Sequence, residues 1–128
     1  MPYIHLDLPG TYPAETKRAL AARLCRLYAA VMETQIWRPN VGIAELGPDN
    51  LLRLGPDGPE PVAMVLVEVR RGRPAETRLR LGQGVVAACA EVLDLPPGRI
   101  FVEFTAHAGD EMLRDGAWTP DWNPEEGG

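Results

Sequence analysis

The second residue of the chain is a proline directly after the initiator methionine, in the stretch Met1-Pro2-Tyr3-Ile4-His5-Leu6-Asp7-Leu8. A small residue at this position lets the methionine be removed. The chain would then begin with Pro2, whose nitrogen would be a free secondary amine. An amide nitrogen is neither basic nor nucleophilic, whereas an amine is both. An ordinary α-amino group titrates near ~8, and burial or a nearby cation lowers that value further. The result is a base close to the working pH, as proton-transfer chemistry requires. If the methionine stays, the Pro2 nitrogen is an amide and this chemistry is lost. Other reactive groups offer less. His5 and His107 form no metal-ligand spacing with Cys25 and Cys89. No phosphate loop or dinucleotide fingerprint is present. Neither a metal nor a cofactor is expected.

The elements that must position Pro2 follow from the apolar pattern. Ile4, Leu6 and Leu8 alternate with Tyr3, His5 and Asp7, which is a strand. His5 reads as a histidine hydrogen-bonded in place. Gly10 starts a turn, Pro13 suits the first turn of a helix, and Glu15 suits its positive end. Leu20, Leu24, Leu27 and Val31 then repeat at helical spacing, so a helix should run to about Met32. The segment from Glu33 to Asn40 breaks that pattern, and Val41 to Leu46 reads as a second strand. Leu51 to Leu54 reads as a short hairpin return, and Gly55 to Pro61 as a loop. Val62 to Val69 is an almost wholly apolar strand suited to a sheet interior. Arg70-Arg71-Gly72-Arg73 is a turn, and a helix follows from Pro74 to about Leu93. Ile100 to Thr105 is a further strand. Gly82 and Gly84, inside the second helical pattern, read as points of close packing.

The second half repeats the first. Pro74-Ala75-Glu76-Thr77 duplicates Pro13-Ala14-Glu15-Thr16 at an offset of 61 residues. At that offset Leu20 meets Leu81, Leu24 meets Val85 and Met32 meets Leu93. Each half is a strand–helix–strand unit with a crossover long enough for parallel pairing. The expected fold is α+β: two β-α-β repeats, at about 2–54 and 62–116, with four core strands and both helices on one face. The two repeats make one domain over 1–128, with a tail at 117–128. The uncovered sheet face needs other subunits. The duplication is chemically asymmetric, because Ala63 in mid-chain occupies the place of Pro2.

Composition bounds the function. A chain of 128 residues with 45% apolar content fits one soluble domain. A net charge of −5 argues against a nucleic-acid surface. No apolar run reaches the ~20 residues of a membrane span, and the first residues lack a signal-peptide pattern, so the cytoplasm is the expected compartment. Two cysteines in helical patterns read as buried thiols.

The amino-terminal proline on strand one, the paired strand–helix–strand units and the Gly-Arg turn before the second helix resemble the tautomerase superfamily. Glu33-Thr34-Gln35 with Val41-Gly42-Ile43-Ala44-Glu45, and later Arg70-Arg71-Gly72-Arg73-Pro74-Ala75-Glu76, resemble in type and spacing the cis-3-chloroacrylic acid dehalogenase group. The similarity runs from Pro2 to about Gly116. It implies a homotrimer, with each pocket near an amino-terminal proline at or near a subunit boundary.

That resemblance implies roles. Arg70 and Arg73 stand where the group places its substrate-binding arginines, and a guanidinium binds a carboxylate in a bidentate fork. Without the resemblance, Arg70, Arg71, Arg73, Arg78 and Arg80 would read as a solvated basic face. Three positions depart from the group: Tyr28 stands in place of a histidine, Glu103 in place of a tyrosine, and Arg114 in place of the water-activating carboxylate. Arginine cannot act as a base near neutral pH, so hydration and hydrolytic dehalogenation are disfavoured. Tyr28 could donate a hydrogen bond and Glu103 could move a proton; helix packing and a solvated carboxylate are the plainer readings. The implied activity is that of a tautomerase on a small 2-oxo acid or its enol. The alternatives are a lyase, hydratase or decarboxylase on a short unsaturated or 3-oxo acid, or a binding module if Met1 is retained. Trp118 and Trp122 in the tail would close a pocket, cover a neighbour or pack on their own subunit.

Overall fold

A computed structural model of the chain describes residues 2–125. Met1 lies outside the described residues, as do Glu126, Gly127 and Gly128 at the end of the tail. The elements, in order, are β1 (Tyr3–Leu8), α1 (Ala14–Met32), β2 (Asn40–Glu45), β3 (Leu52–Gly55) and β4 (Gly58–Pro61). Then come β5 (Ala63–Arg70), α2 (Ala75–Leu93), β6 (Ile100–His107), β7 (Leu113–Arg114) and β8 (Ala117–Trp118).

The core sheet has the order β2-β1-β5-β6. β1 and β2 run parallel, as do β5 and β6, while the central pair β1 and β5 is antiparallel. The two β-α-β units are thus related by a twofold through the middle of the sheet. The register respects the duplication: Ile4 pairs with Val67 and Leu6 with Val65, and the 61-residue offset turns one pair into the other. Helix ends repeat as well. Glu33 and Asp94 each close a helix in the left-handed region at φ 54°, with their N–H groups donating to the carbonyls of Ala29 and Ala90.

The inward residues of β1 and β5 (Ile4, Leu6, Leu8, Val65, Val67) are fully buried against Leu20, Leu24, Leu81 and Val85 of the helices. Gly84 lies against Leu27, so the helices approach closely where the sequence has no side chain. The outward face of the same strands is uncovered. There the Tyr3 hydroxyl is 3.1 Å from His5 Nδ1, and His5 Nε2 is 3.0 Å from Asp7 Oδ1, the local hydrogen bonding expected for this histidine.

The connection between the halves differs from the reading of a loop. Leu52–Gly55 does not return onto β2, and Gly58–Pro61 is a strand that pairs with it. The prolines explain why composition concealed this hairpin. Pro59 faces Leu54 and Pro61 faces Leu52, alternating with the hydrogen-bonded pairs Gly55–Gly58 and Arg53–Glu60. At such positions a strand residue needs no N–H for the ladder. Glu60 then accepts from both Arg53 at 2.7 Å and Arg99 at 3.1 Å.

Candidate active site

Pairing in the sheet dictates where the site forms. Because β1 is antiparallel to β5, the start of β1 lies beside the end of β5, which puts Pro2 at the same sheet end as Arg70. Because β1 is parallel to β2, the segment leading into β2 arrives there too: the Asn40 N–H donates to the Pro2 carbonyl at 2.9 Å. α1 ends at this level with Tyr28 and Met32. The chain that follows β6 then folds back as the β7–β8 hairpin, held by the Thr119 N–H on the Met112 carbonyl at 2.9 Å.

These segments enclose one pocket. Its walls include Pro2, Tyr28, Arg70, Arg73 and Arg114, the residues singled out from the sequence, together with Thr34, Arg38, Met112 and Thr119. Pro2 is buried. Arg70 and Arg73 are only 9% and 7% exposed, so they are not part of a solvated basic face. Glu103 is elsewhere. It lies exposed on β6, paired with Leu66, and does not line the pocket of its own chain.

Four guanidinium groups therefore face one cavity, and no carboxylate is among the described residues that line it. Arg73 Nη2 donates to the Met32 carbonyl at 3.2 Å, which ties the α2 approach to the end of α1. Tyr28 is 2% exposed. Burial pushes its hydroxyl above the ordinary tyrosine range, with Arg73 and Arg70 pulling the other way. At neutral pH the hydroxyl stays protonated and can donate a hydrogen bond. Arg38 Nε, Arg114 Nη1 and Thr119 Oγ1 are buried without a protein partner.

A strap formed by residues 118–122 covers the pocket. Arg70 Nη1 donates to the Pro120 carbonyl at 2.8 Å, and Arg71 pairs with Asp121 at 3.2 Å. The Arg73 guanidinium stacks over the Trp122 ring, 5.2 Å from its centre. Under this cover about 20 Å³ of space remains, room for one water. Of the tail tryptophans, Trp122 packs on Arg73 of its own chain, while Trp118 is 62% exposed. Two glycines give the strap its track. A Cβ on Gly109 would collide with the Thr119 carbonyl oxygen, and one on Gly72, which sits at φ 125°, would come 2.9 Å from the Trp122 carbonyl.

The comparison with solved structures matches this architecture. N1, a member of the cis-3-chloroacrylic acid dehalogenase family, superposes with a TM-score of 0.82 at 22% identity, over 93% of this chain and 84% of that one. The fold is that of the tautomerase superfamily. Pt0534, whose structure was solved after inactivation by 2-oxo-3-pentynoate, superposes at 0.80 with 20% identity, over 91% and 95% of the two chains. A fused 4-OT, F6, solved as an asymmetric trimer, superposes at 0.81 with 18% identity, over 91% and 94%. No family model and no curated protein matches the chain by sequence.

Arg38, Met112 and Thr119 escaped the sequence reading, and Thr34 entered it only as part of the motif Glu33-Thr34-Gln35, with no role assigned. A signal for Arg38 was available. Parallel pairing of β1 with β2 carries the residues just before β2 to the Pro2 end of the sheet, and Arg38 is the cation in that segment.

Proposed function

We propose that the chain is a cofactor-independent tautomerase acting on a small 2-oxo acid or its enol. The observation that carries this reading is that Pro2 shares a pocket wall with Arg70 and Arg73. Once Met1 is removed, the Pro2 nitrogen is an amine, and surrounding guanidinium groups favour the neutral form that accepts a proton. In the ketonising direction this amine takes the enol O–H proton. Arg73 and Arg70 hold the carboxylate and stabilise the charge of the enolate. The Pro2 ammonium then returns the proton to carbon 3. Tyr28, protonated, is a donor toward the enolate oxygen. The capture of an acetylenic 2-oxo acid by Pt0534, a protein of the same fold, supports this substrate class.

The hydratase and dehalogenase alternatives need a group that activates water. Arg114 stands in the pocket and no carboxylate lines it among the described residues, which counts against both.

The working form is proposed to be a homotrimer in the cytoplasm. The uncovered sheet face, with Tyr3 39% and Phe101 36% exposed, supports association, as does the trimer of the fused 4-OT. In such an assembly Glu103 would meet a neighbouring subunit instead of its own pocket. Sedimentation equilibrium tests the stoichiometry.

The proline reading is tested by intact mass of natively produced protein, followed by ketonisation of phenylpyruvate enol by the wild type and Pro2→Ala. Loss of Met1 is expected, with kcat/KM falling by about 10²-fold or more in the variant. Retained Met1, or turnover indifferent to Pro2→Ala, would leave the pocket as a binding site or as an active site using other residues.

A further inference from the structure

The pocket holds more positive charge than one carboxylate can answer. A single carboxylate takes the bidentate fork of one guanidinium and the support of a second. Arg70 and Arg73, the pair assigned to that task, already have carbonyl partners in Pro120 and Met32. Arg38 and Arg114 line the same cavity, both half-buried, and each has one buried N–H without a protein acceptor, Nε of Arg38 and Nη1 of Arg114. The hydroxyl of Thr119, 7% exposed, is a third buried group without a partner. Buried donors of this kind are costly unless paired. The donor set of two guanidinium N–H groups and one hydroxyl suits the two oxygens of a carboxylate, which offer about four lone-pair sites.

We infer that Arg38, Arg114 and Thr119 form a second anion subsite, and that the ligand of this pocket is a short dicarboxylate. One carboxylate sits on Arg70 and Arg73, and the other on Arg38 and Arg114. A monocarboxylate would leave half of the cationic wall unanswered. With room for one water under the strap, the ligand displaces the Pro120 carbonyl from Arg70, and a charged carboxylate is the stronger acceptor for that N–H. The inference rests on the pocket assigned above as the ligand site, but not on proline chemistry.

Calorimetric titration of the full chain tests it with succinate against butyrate and glutarate against pentanoate, pairs matched in length and differing by one carboxylate. The better dicarboxylate should bind about ten- to a hundredfold more tightly than its partner, the increment expected for charge-assisted hydrogen bonds to a second carboxylate. Arg38→Gln and Arg114→Gln should each pull that ratio toward one. The glutamine variants keep a polar side chain, and circular dichroism checks that they fold. Equal affinities within the pairs, no binding of any of the four acids, or a ratio unmoved by both substitutions would overturn the subsite. Sulfate or phosphate binding as tightly as the dicarboxylates would overturn the two-carboxylate ligand. The same titration on Pro2→Ala separates the questions: turnover lost or unaffected there bears on the proline, while the affinity ratio bears on the arginines.

Discussion

Nη1 of Arg70 donates a 2.8 Å hydrogen bond to the carbonyl oxygen of Pro120, fifty residues further along the chain. The neighbouring contacts follow the same order, with Arg71 on Asp121 and Arg73 on Trp122. Successive arginines of the β5–α2 turn thus grip successive residues of the strap. A guanidinium proposed to hold substrate is occupied by the protein's own backbone, so access to the site and release of the strap are coupled.

Gly109→Ala should loosen the strap and, through it, the Thr119 part of the pocket wall. The added Cβ collides with the Thr119 carbonyl oxygen and would lie 2.7 Å from the Pro120 carbonyl carbon and 2.8 Å from the Asp121 nitrogen, all backbone atoms that cannot rotate away. Overpacking of this kind costs about 1–3 kcal/mol. Hydrogen exchange at residues 117–122 should quicken, and urea unfolding should shift to lower concentration. Gly98→Ala, which meets open space, should change neither.

Asp121 makes the strap sensitive to acid. The Gly109 N–H, donating at 2.7 Å, and then Arg71 hold its carboxyl below the ordinary range. A lowered carboxylate stabilises the anchored form above the unfolded aspartate value near ~4, and the contribution is lost as pH falls through the lowered folded value. Strap protection, corrected for intrinsic exchange, should therefore be level from neutral pH down to that range and fall below it. Asp121→Asn should weaken protection at neutral pH and flatten its acid dependence.

Cys89 should be inert in the folded protein. Burial pushes its thiol up to about 11, so almost none of it is the reactive thiolate at pH 8. Cys25 is half-buried, with its Sγ 3.7 Å from the Pro39 carbonyl, and burial raises its thiol too. Ellman's reagent at pH 8 should find Cys25 slowly and Cys89 only after denaturation. Fast modification of Cys89 in native protein would contradict the packing.

Leu24→Ala removes a side chain with no exposed surface, from the face of α1 that packs on the sheet. The expected loss is about 2–5 kcal/mol by denaturant unfolding at fixed protein concentration. Leu54→Ala, at a position 81% exposed in the β3–β4 hairpin, should stay within about 0.5 kcal/mol of wild type.

The core elements could be read from the chain because their signals are local. Alternation around Ile4, Leu6 and Leu8 and helical spacing from Leu20 to Val31 each act within a short window, and the echo of Pro13-Ala14-Glu15-Thr16 at Pro74-Ala75-Glu76-Thr77 carries the same local pattern into the second half. The β3–β4 hairpin was hidden because Pro59 and Pro61 count against a strand unless their pairing positions are known. Pro2 stood out by its place after Met1, Arg70 and Arg73 came from a resemblance, and the fold brings all three to one pocket. Arg38 could have been placed there from the parallel pairing of β1 with β2, whereas Thr119 joins that pocket only through the fold-back after β6, which no window of sequence contains. Glu103 belongs to the opposite outcome: its position on β6 was legible, but the outward turn of its side chain takes it from the pocket of its own subunit.

The stacking of Arg73 on Trp122 also makes the molecule its own indicator. Trp37 and Trp118 are 67% and 62% exposed. Trp122 has its indole against Arg73 and Trp37 lies under Arg38, so two of the three indoles sit against cations that line the pocket. Indole emission shifts when a neighbouring charge leaves, so whatever lifts the strap is written into Trp122 fluorescence, which Trp37→Phe and Trp118→Phe isolate from the other two indoles. Opening and closing can thus be timed in unlabelled protein by stopped-flow, with no chromophore required of the ligand.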